Sequence, residues 1–384
     1  MKRLALILTI LVAAASCALS AADAPKRQGW DYKYKTPLYG NVESLTITEY
    51  SLKDSLGVLS RSKIEEKYCF NFNEFGDVTE RANYNSDGSL FSKFIYKYDT
   101  KGNKTEWAWY KSDGSYIHKY IYKYDKKGNM TEIASYNLFG LLRRERIYEY
   151  DKKGNKIKEV WYNLDGSFVK RIYKYDKKGI VTEEQYDSES QEKYIYKYDK
   201  KGNETEYAEY TSDGSLRSKS IYKYDTKGNK TEKAEYDSDG SLQGKLTYKY
   251  DTQGNQTETA EYNSNGSLNW KKIYKYDTKG NKTESAKYTS DGSLDNKYIY
   301  KYDTNGNKTE KAYYTSDGSL NWKKIYKYDT NGNKIEEAWY ESEDLLSRKY
   351  TYKYDSIGNI TEITEYEGEL RPTSQIVYTI IYRK

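Results

Sequence analysis

The sequence predicts an all-β protein: tandem 26-residue β-hairpin repeats forming an elongated, twisted or spiral antiparallel meander sheet. Three observations predict it. The tetrapeptide Tyr-x-Tyr-Asp recurs eleven times, ending at Asp99, Asp125, Asp151, Asp176, Asp199, Asp225, Asp251, Asp277, Asp303, Asp329 and Asp355; the spacing is 26 except for 25 before Asp176 and 23 before Asp199. Each unit carries two turn sequences, such as DTKG closing at Gly102 and KSDG closing at Gly114. Between turns run stretches of about 8–10 residues with period-2 alternation, the pattern of strands. Pro occurs only at 25, 37 and 372, outside the repeats, as uninterrupted ladders require. The internal period overrides the two or three domains that a length of 384 residues suggests.

From the N-terminus, Met1 to Arg3 form a short basic start to an apolar run, LALILTILVAAA, of signal-peptide length and too short to span a bilayer. Residues 1–22 are therefore expected to be a signal peptide. Two processing routes are open. Ser20-Ala21-Ala22 is an acceptable signal-peptidase site. Ala14-Ala15-Ser16-Cys17 is similar to a bacterial lipobox, with Ala in place of the usual Leu, and would make Cys17 a lipidation site. Residues 23–69 are read as an N-terminal cap with a degenerate first unit, 70–366 as the repeat array, and 367–384, with QIVYTIIYRK, as a C-terminal capping strand.

Within a unit the consensus is K-x-I-Y-K-Y-D-x-x-G-N-K-T-E-x-A-x-Y-x-S-D-G-S-L. Asp99 can open a type I turn, with Gly102 in the left-handed position that closes a bulge; Gly114 does the same in the second turn. Alternation, followed through the turn, places Tyr116, Tyr122 and Tyr124 on one face with Lys104, Glu106, Ala108 and Tyr110. Tyrosines of successive units then stack in ladders. The opposite face takes Lys119, Ile121, Lys123 and Asp125 with Thr105 and the variable positions 107 and 109.

Composition supports a folded chain. Charged residues are 32% and mean hydropathy is −1.07, but 48 tyrosines and 16% aromatics argue against disorder. The expected core is Tyr. Net charge is +6 from 64 basic and 58 acidic residues, and +4 without Lys2 and Arg3, with the signs interleaved. That is a mixed solvated surface, not a nucleic-acid stripe. Cys17, Cys69 and the single His118 exclude a disulfide framework and a Cys/His zinc site. No cofactor or metal is expected. Cys69 is read as a buried apolar thiol and His118 as a surface residue.

The segment YKYDTKGNKTE, Tyr96 to Glu106, resembles the tyrosine-aspartate repeat of the Rhs/YD-repeat family, and the resemblance covers residues 70–366. It implies a β-sheet wound into a spiral wall, which in full-length members encloses a toxic C-terminal domain. The 26-residue period, the extra D-G-S-L turn and an array short for a closed shell depart from that plan. No cargo domain is expected, and the toxin role is not carried over. A second segment, Tyr210 to Leu216, is similar to half of the aromatic repeats of choline- and glucan-binding cell-wall modules, without their Thr-Gly-Trp element.

Repeating carboxylates such as Glu106, Glu132, Glu206 and Glu232 read as cross-strand partners of Lys; a glycosidase needs one pair in one cleft. Asp113 and Asn103 read as turn residues rather than calcium ligands. The remaining candidates are aromatics at positions that vary between copies: Trp107, Trp109, Tyr207, Tyr313 and Trp339, with Trp161, Trp270 and Trp322 elsewhere. On the face away from the Tyr ladder, beside Lys119 and Lys123, they would bind a cell-surface or extracellular polymer, a glycan or a protein, through many weak contacts. The expected function is a non-catalytic cell-envelope or secreted binding protein, with membrane contact only through a lipid anchor. A structural spacer or wall is the alternative, and a carboxylate hydrolase a distant third.

Overall fold

The computed structural model describes residues 38–55, 58–187, 192–342, 345–368 and 371–383. Cys17 and the signal peptide lie outside the described residues. Among these residues there are twenty-six strands and no helix. They are β1 (Val42–Ser55), β2 (Val58–Phe72), β3 (Val78–Tyr84), β4 (Leu90–Tyr98), β5 (Lys104–Lys111), β6 (Tyr116–Tyr124), β7 (Met130–Tyr136), β8 (Leu142–Tyr150) and β9 (Lys156–Tyr162). Next come β10 (Phe168–Tyr175), β11 (Val181–Asp187), β12 (Lys193–Tyr198), β13 (Glu204–Tyr210), β14 (Leu216–Tyr224), β15 (Lys230–Tyr236), β16 (Leu242–Tyr250), β17 (Gln256–Asn263) and β18 (Leu268–Tyr276). The last are β19 (Lys282–Thr289), β20 (Leu294–Tyr302), β21 (Lys308–Tyr314), β22 (Leu320–Tyr328), β23 (Lys334–Glu341), β24 (Leu345–Tyr354), β25 (Ile360–Glu367) and β26 (Arg371–Tyr382). The all-β tandem-hairpin fold is as the sequence predicts.

Two compact units are distinguished: one takes residues to Leu90, Tyr326–Glu337 and from Lys349 on; the other takes Phe91–Ile325 and Ala338–Arg348. In the first, β1 pairs antiparallel with both β2 and β26, with Leu45 opposite Phe70 and Ile380, and Ile47 opposite Tyr68 and Tyr378. The two end strands are thus hydrogen-bonded to each other, as they would not be at the two ends of an open spiral. With β2 they bury Leu45, Ile47, Phe70, Ile376 and Tyr378 to 5% exposure or less. Asn359 clasps the same unit: its amide donates to the Tyr39 carbonyl at 3.0 Å and accepts the Tyr39 N–H at 2.6 Å.

In the second unit each strand from β4 to β22 pairs antiparallel with the next. Both turn types form as the local chemistry dictates. The Asp99 carboxylate accepts the N–H groups of Lys101 and Asn103 at 2.9 and 2.8 Å, and the Asn103 side-chain amide at 2.9 Å. The Gly102 N–H closes the turn on the Asp99 carbonyl at 3.0 Å. In the other turn, the Ser115 N–H and hydroxyl both donate to Asp113, at 2.8 and 2.6 Å.

The faces differ from the expectation. Lys97 lies opposite Glu106, but Tyr98 lies opposite Lys104, so Thr105 is an extra residue. This bulge shifts the parity of everything after it. Tyr96 therefore faces Trp107, and Tyr120 faces Trp107 from the other side, while Glu106 shares its face with Lys97, Ala108 and Ile121. The variable aromatics lie on the tyrosine face, not away from it, and Lys119 lies on the other.

That other face is laid down as Ala under ion pairs. Ala108, Ala208, Ala260, Ala286 and Ala312 are 1% exposed or less. Glu106 is held between Lys97 and Lys119, at 3.1 Å from each. Lys123–Glu132, Lys197–Glu206 and Lys223–Glu232 repeat the pairing at 2.8, 2.8 and 2.9 Å. The carboxylates are cross-strand partners of Lys. The buried apolar positions of this unit among the described residues are thus alanines and Val160, and not tyrosines, which are mostly half-buried.

Candidate functional site

The tyrosine face is built from two rows. The first consists of the repeat tyrosines with the lysine of G-N-K beside them. Among the described ring contacts none stacks a repeat tyrosine on that of the next unit; a lysine lies beside them. Lys156 Nζ lies 5.6 Å from the Tyr148 ring centre and 4.8 Å from that of Tyr173. Lys104, Lys230, Lys282 and Lys308 lie over Tyr96, Tyr222, Tyr274 and Tyr300 at 5.3, 4.2, 4.5 and 5.2 Å. The bulge turns the Lys side chain to this face, and a cation over an aromatic face is attracted by the ring quadrupole.

The electrostatics of this row vary along the chain. Burial pushes the Lys156 ammonium down, but the Glu159 carboxylate at 2.8 Å outweighs this and holds it above the ordinary value. Burial lowers Lys282, and the positive charges of Lys272 and Lys308 lower it further; Lys308 is lowered by burial and by Lys311. Around β18–β21 the face is therefore strongly cationic.

The second row holds the variable positions, and the aromatics gather there in three groups. Across β4–β6, the Phe94 ring stacks on Trp107 and Trp109 with centroids 6.0 and 5.7 Å apart, and Trp107 meets Tyr120 at 5.1 Å. His118 packs 6.3 Å from Trp109 and is half-buried, not the surface residue expected. The Trp109 indole N–H is buried with no hydrogen-bond partner among the described residues. Across β11–β13, Tyr207 stacks on Tyr194 at 5.9 Å and packs against Tyr196 at 5.3 Å. Burial pushes its phenol up to about 12.

The third group spans β20–β22 and residue 339. Tyr313 packs on Tyr298 at 4.9 Å and on Trp322 at 5.8 Å, and Lys311 Nζ lies 5.2 and 5.4 Å from the Tyr298 and Trp322 rings. Lys324 Nζ sits 3.3 Å over the Trp339 ring. Between them opens a groove of about 700 Å³ lined by Lys311, Trp322, Lys324, Trp339, Glu341 and Ser347 among others. Trp339 is 39% exposed, whereas Trp107, Trp109, Tyr207 and Tyr313 are half-buried.

Tyr313 and Trp339 thus flank β22, the first packed on Trp322 and the second under Lys324, while Trp107 and Trp109 form a separate packed group and Tyr207 a third. Sequence reasoning named Trp322 among the variable aromatics but assigned no binding role to Lys282, Lys308 or Lys324. The available signal was the pairing of Trp322 with Lys324 two residues on, in a strand of known alternation. Cys69, expected as a buried apolar thiol, is half-buried, with its sulfur 3.5 Å from the Thr46 hydroxyl.

A family model described as a protein of unknown function, DUF2963, matches residues 144–186. No curated protein is similar to the chain in sequence. Among solved structures, the crystal structure of TcdB2-TccC3 is similar at 14% identity and a TM-score of 0.31, over 87% of this chain and 22% of that one. The chain thus spans under a quarter of its length. A porin-like protein from Bacteroides uniformis is similar at 10% identity and a TM-score of 0.23, over 88% of this chain and 98% of that one. A second porin-like protein, from Bacteroides vulgatus, is similar at 12% identity and a TM-score of 0.14, over 69% and 92%. At these scores the likenesses carry no argument, and the fold rests on the strand pairing itself.

Proposed function

We propose that this is a non-catalytic, exported binding protein of the cell envelope or exterior, and that its tyrosine face takes an extended saccharide polymer carrying acidic groups. The observation that carries this reading is the groove at Trp322 and Trp339, where two indole rings lie beside Lys311 and Lys324, with Tyr298 and Tyr313 packed on Trp322. Flat rings stack on sugar faces; ammonium groups pair with uronate carboxylates. Lys272, Lys282 and Lys308 extend the cationic surface along neighbouring strands, so that weak contacts sum over a long ligand. Export is inferred from the apolar leader at residues 4–15 and lipid anchoring from Cys17.

The test is retention of the processed protein on immobilised polygalacturonate and on neutral dextran. Retention on the acidic polymer that weakens with salt supports the reading. Equal passage through both columns overturns it. A purely structural wall is the second reading. It is favoured by the stitching of successive turns, in which Lys101 and Lys127 each donate to a carbonyl of the next turn, at 2.9 and 2.6 Å.

A further inference from the structure

The turn between β7 and β8 breaks the pattern of its neighbours. Where other copies read Ser-Asp-Gly-Ser, this one reads Leu138-Phe139-Gly140-Leu141. The backbone is unaffected. Gly140 keeps the left-handed conformation at φ +76°, and the Asn137 and Gly140 N–H groups bond the Leu141 and Asn137 carbonyls at 3.0 Å each. The Asn137 side chain replaces the missing carboxylate, accepting from the N–H groups of Phe139 and Leu141 at 2.9 and 3.0 Å. The apolar side chains are therefore not needed to form the turn.

Nor are they buried. Phe139 is 76% exposed, Leu141 61% and Leu138 50%. The adjoining turn, between β9 and β10, adds Leu164 and Phe168 at 66% and 49%. The turns of this row fall at the same end of successive hairpins, β7–β8 and β9–β10; on the opposite side a Cβ added to Gly140 would come within 3.1 Å of the hydroxyl of Tyr116, which follows the preceding turn. Just behind the tips on β8, Arg143 and Arg144 are exposed. The carboxylates of the two flanking turns, Asp113 and Asp165, are held within their own turns by the N–H and hydroxyl groups of Ser115 and Ser167.

We propose that these two turn tips, at Leu138–Leu141 and at Leu164 with Phe168, insert into the surface of an anionic phospholipid bilayer, with Arg143 and Arg144 meeting the headgroups. The patch consists of the two turns and the first residue of β10, Phe168, with exposed leucine and phenylalanine at the turns and arginine next along β8. That order matches the depth profile of a bilayer interface, apolar below and anionic above. A stable protein partner needs roughly 20–30 residues a side, far more than two turns supply. Isolated exposed apolar residues are ordinary on protein surfaces, but a contiguous group is not.

The test uses the exported protein carrying Cys17→Ser, so that no acyl anchor contributes. Co-flotation is measured with vesicles of equal parts phosphatidylglycerol and phosphatidylcholine. The variant L138S/F139D/L141S rewrites residues 137–141 as Asn-Ser-Asp-Gly-Ser, the sequence that already forms the same turn at residues 85–89. It is expected to fold as the parent does and to lose vesicle binding at least tenfold. R143S/R144S is expected to lose the preference for phosphatidylglycerol over pure phosphatidylcholine. A parent protein that does not float, or a restored-turn variant that floats equally, overturns the proposal. So does concentration-dependent dimerisation that the triple variant abolishes in the absence of vesicle binding, which would assign the patch to a second copy.

Discussion

The Tyr124 hydroxyl donates to the Lys104 carbonyl at 2.8 Å, reaching back twenty residues from the end of β6 to the start of the preceding strand, β5. The same bond joins Tyr150 to Met130, Tyr250 to Lys230, Tyr276 to Gln256 and Tyr302 to Lys282, at 2.7–2.9 Å. The acceptor lies beside each bulge, where the ladder leaves a carbonyl in need of a donor. Burial raises the Tyr124, Tyr250, Tyr276 and Tyr302 phenols above their ordinary value, so the hydroxyl stays protonated and donating through the neutral range.

Tyr276→Phe should therefore destabilise the protein by about 1 kcal/mol, the net worth of one such bond. Tyr124→Phe should cost the same. Since contacts in this unit run between consecutive strands, the two losses should add within about 0.5 kcal/mol. Urea denaturation of the single and double variants measures this. A double variant as stable as the parent would mean that the phenol only fills space.

Gly280 has φ +84°, and a Cβ placed there would meet nothing closer than the Asn255 Oδ1 atom at 3.7 Å. The obstacle to substitution is backbone strain alone. Gly280→Val should cost about 1–3 kcal/mol, and Gly280→Asn distinctly less, since Asn tolerates the left-handed region. Equal melting of the two variants would show that the turn can flatten.

The turns were legible in the sequence because their chemistry is local: Asp99, Gly102 and Asn103 form one closed set of bonds within five residues. The sidedness of the sheet was not. Thr105 enters as one additional residue in a strand and leaves no trace in composition, yet it moves Trp107 to the tyrosine face. The pairing of β1 with β26 was equally hidden, because it joins segments more than three hundred residues apart that carry no repeat signature. The lysines beside the tyrosines were obscured for a different reason. Lys104 and Lys97 are the same residue type flanking the same turn, but one stacks on Tyr96 and the other pairs with Glu106.

Acid should unfold the chain through its carboxylates. Asp99 and Asp125 are held below the ordinary Asp value, chiefly by the side-chain amides of Asn103 and Asn129. For Glu106, burial pushes the carboxyl up, but the hydrogen bonds and charges of Lys97 and Lys119 outweigh it, and the net shift is down. A carboxyl depressed in the folded state contributes stability that is present above its unfolded value and lost as pH falls through the folded one. The melting temperature should hold between about pH 7 and pH 5 and decline below about pH 4. Glu106→Gln should be less stable at neutral pH and show a shallower decline. Loss of stability centred above pH 5 would point to other groups.

The candidate aromatics divide into those wedged within the sheet and those that line the open groove. Trp107 and Trp109 are wedged between Phe94, Tyr120 and His118, so Trp107→Ala with Trp109→Ala should cost on the order of 3 kcal/mol through lost packing. Trp322 and Lys324 border the open groove with Trp339, and W322A/K324A should shift melting by no more than a few degrees while reducing retention on polygalacturonate at least tenfold. Lys282 and Lys308 provide a sharper discriminator. Each is a lysine whose ammonium is disfavoured by burial and by neighbouring cations, so at neutral pH its charge works against the fold. K282M/K308M should leave stability unchanged or raise it, and at the same time weaken retention and flatten its salt dependence. A structural role for these lysines would move both properties in the same direction. Retention that survives W322A/K324A, but is lost in a folded W107A/W109A protein, would move the site to β4–β6.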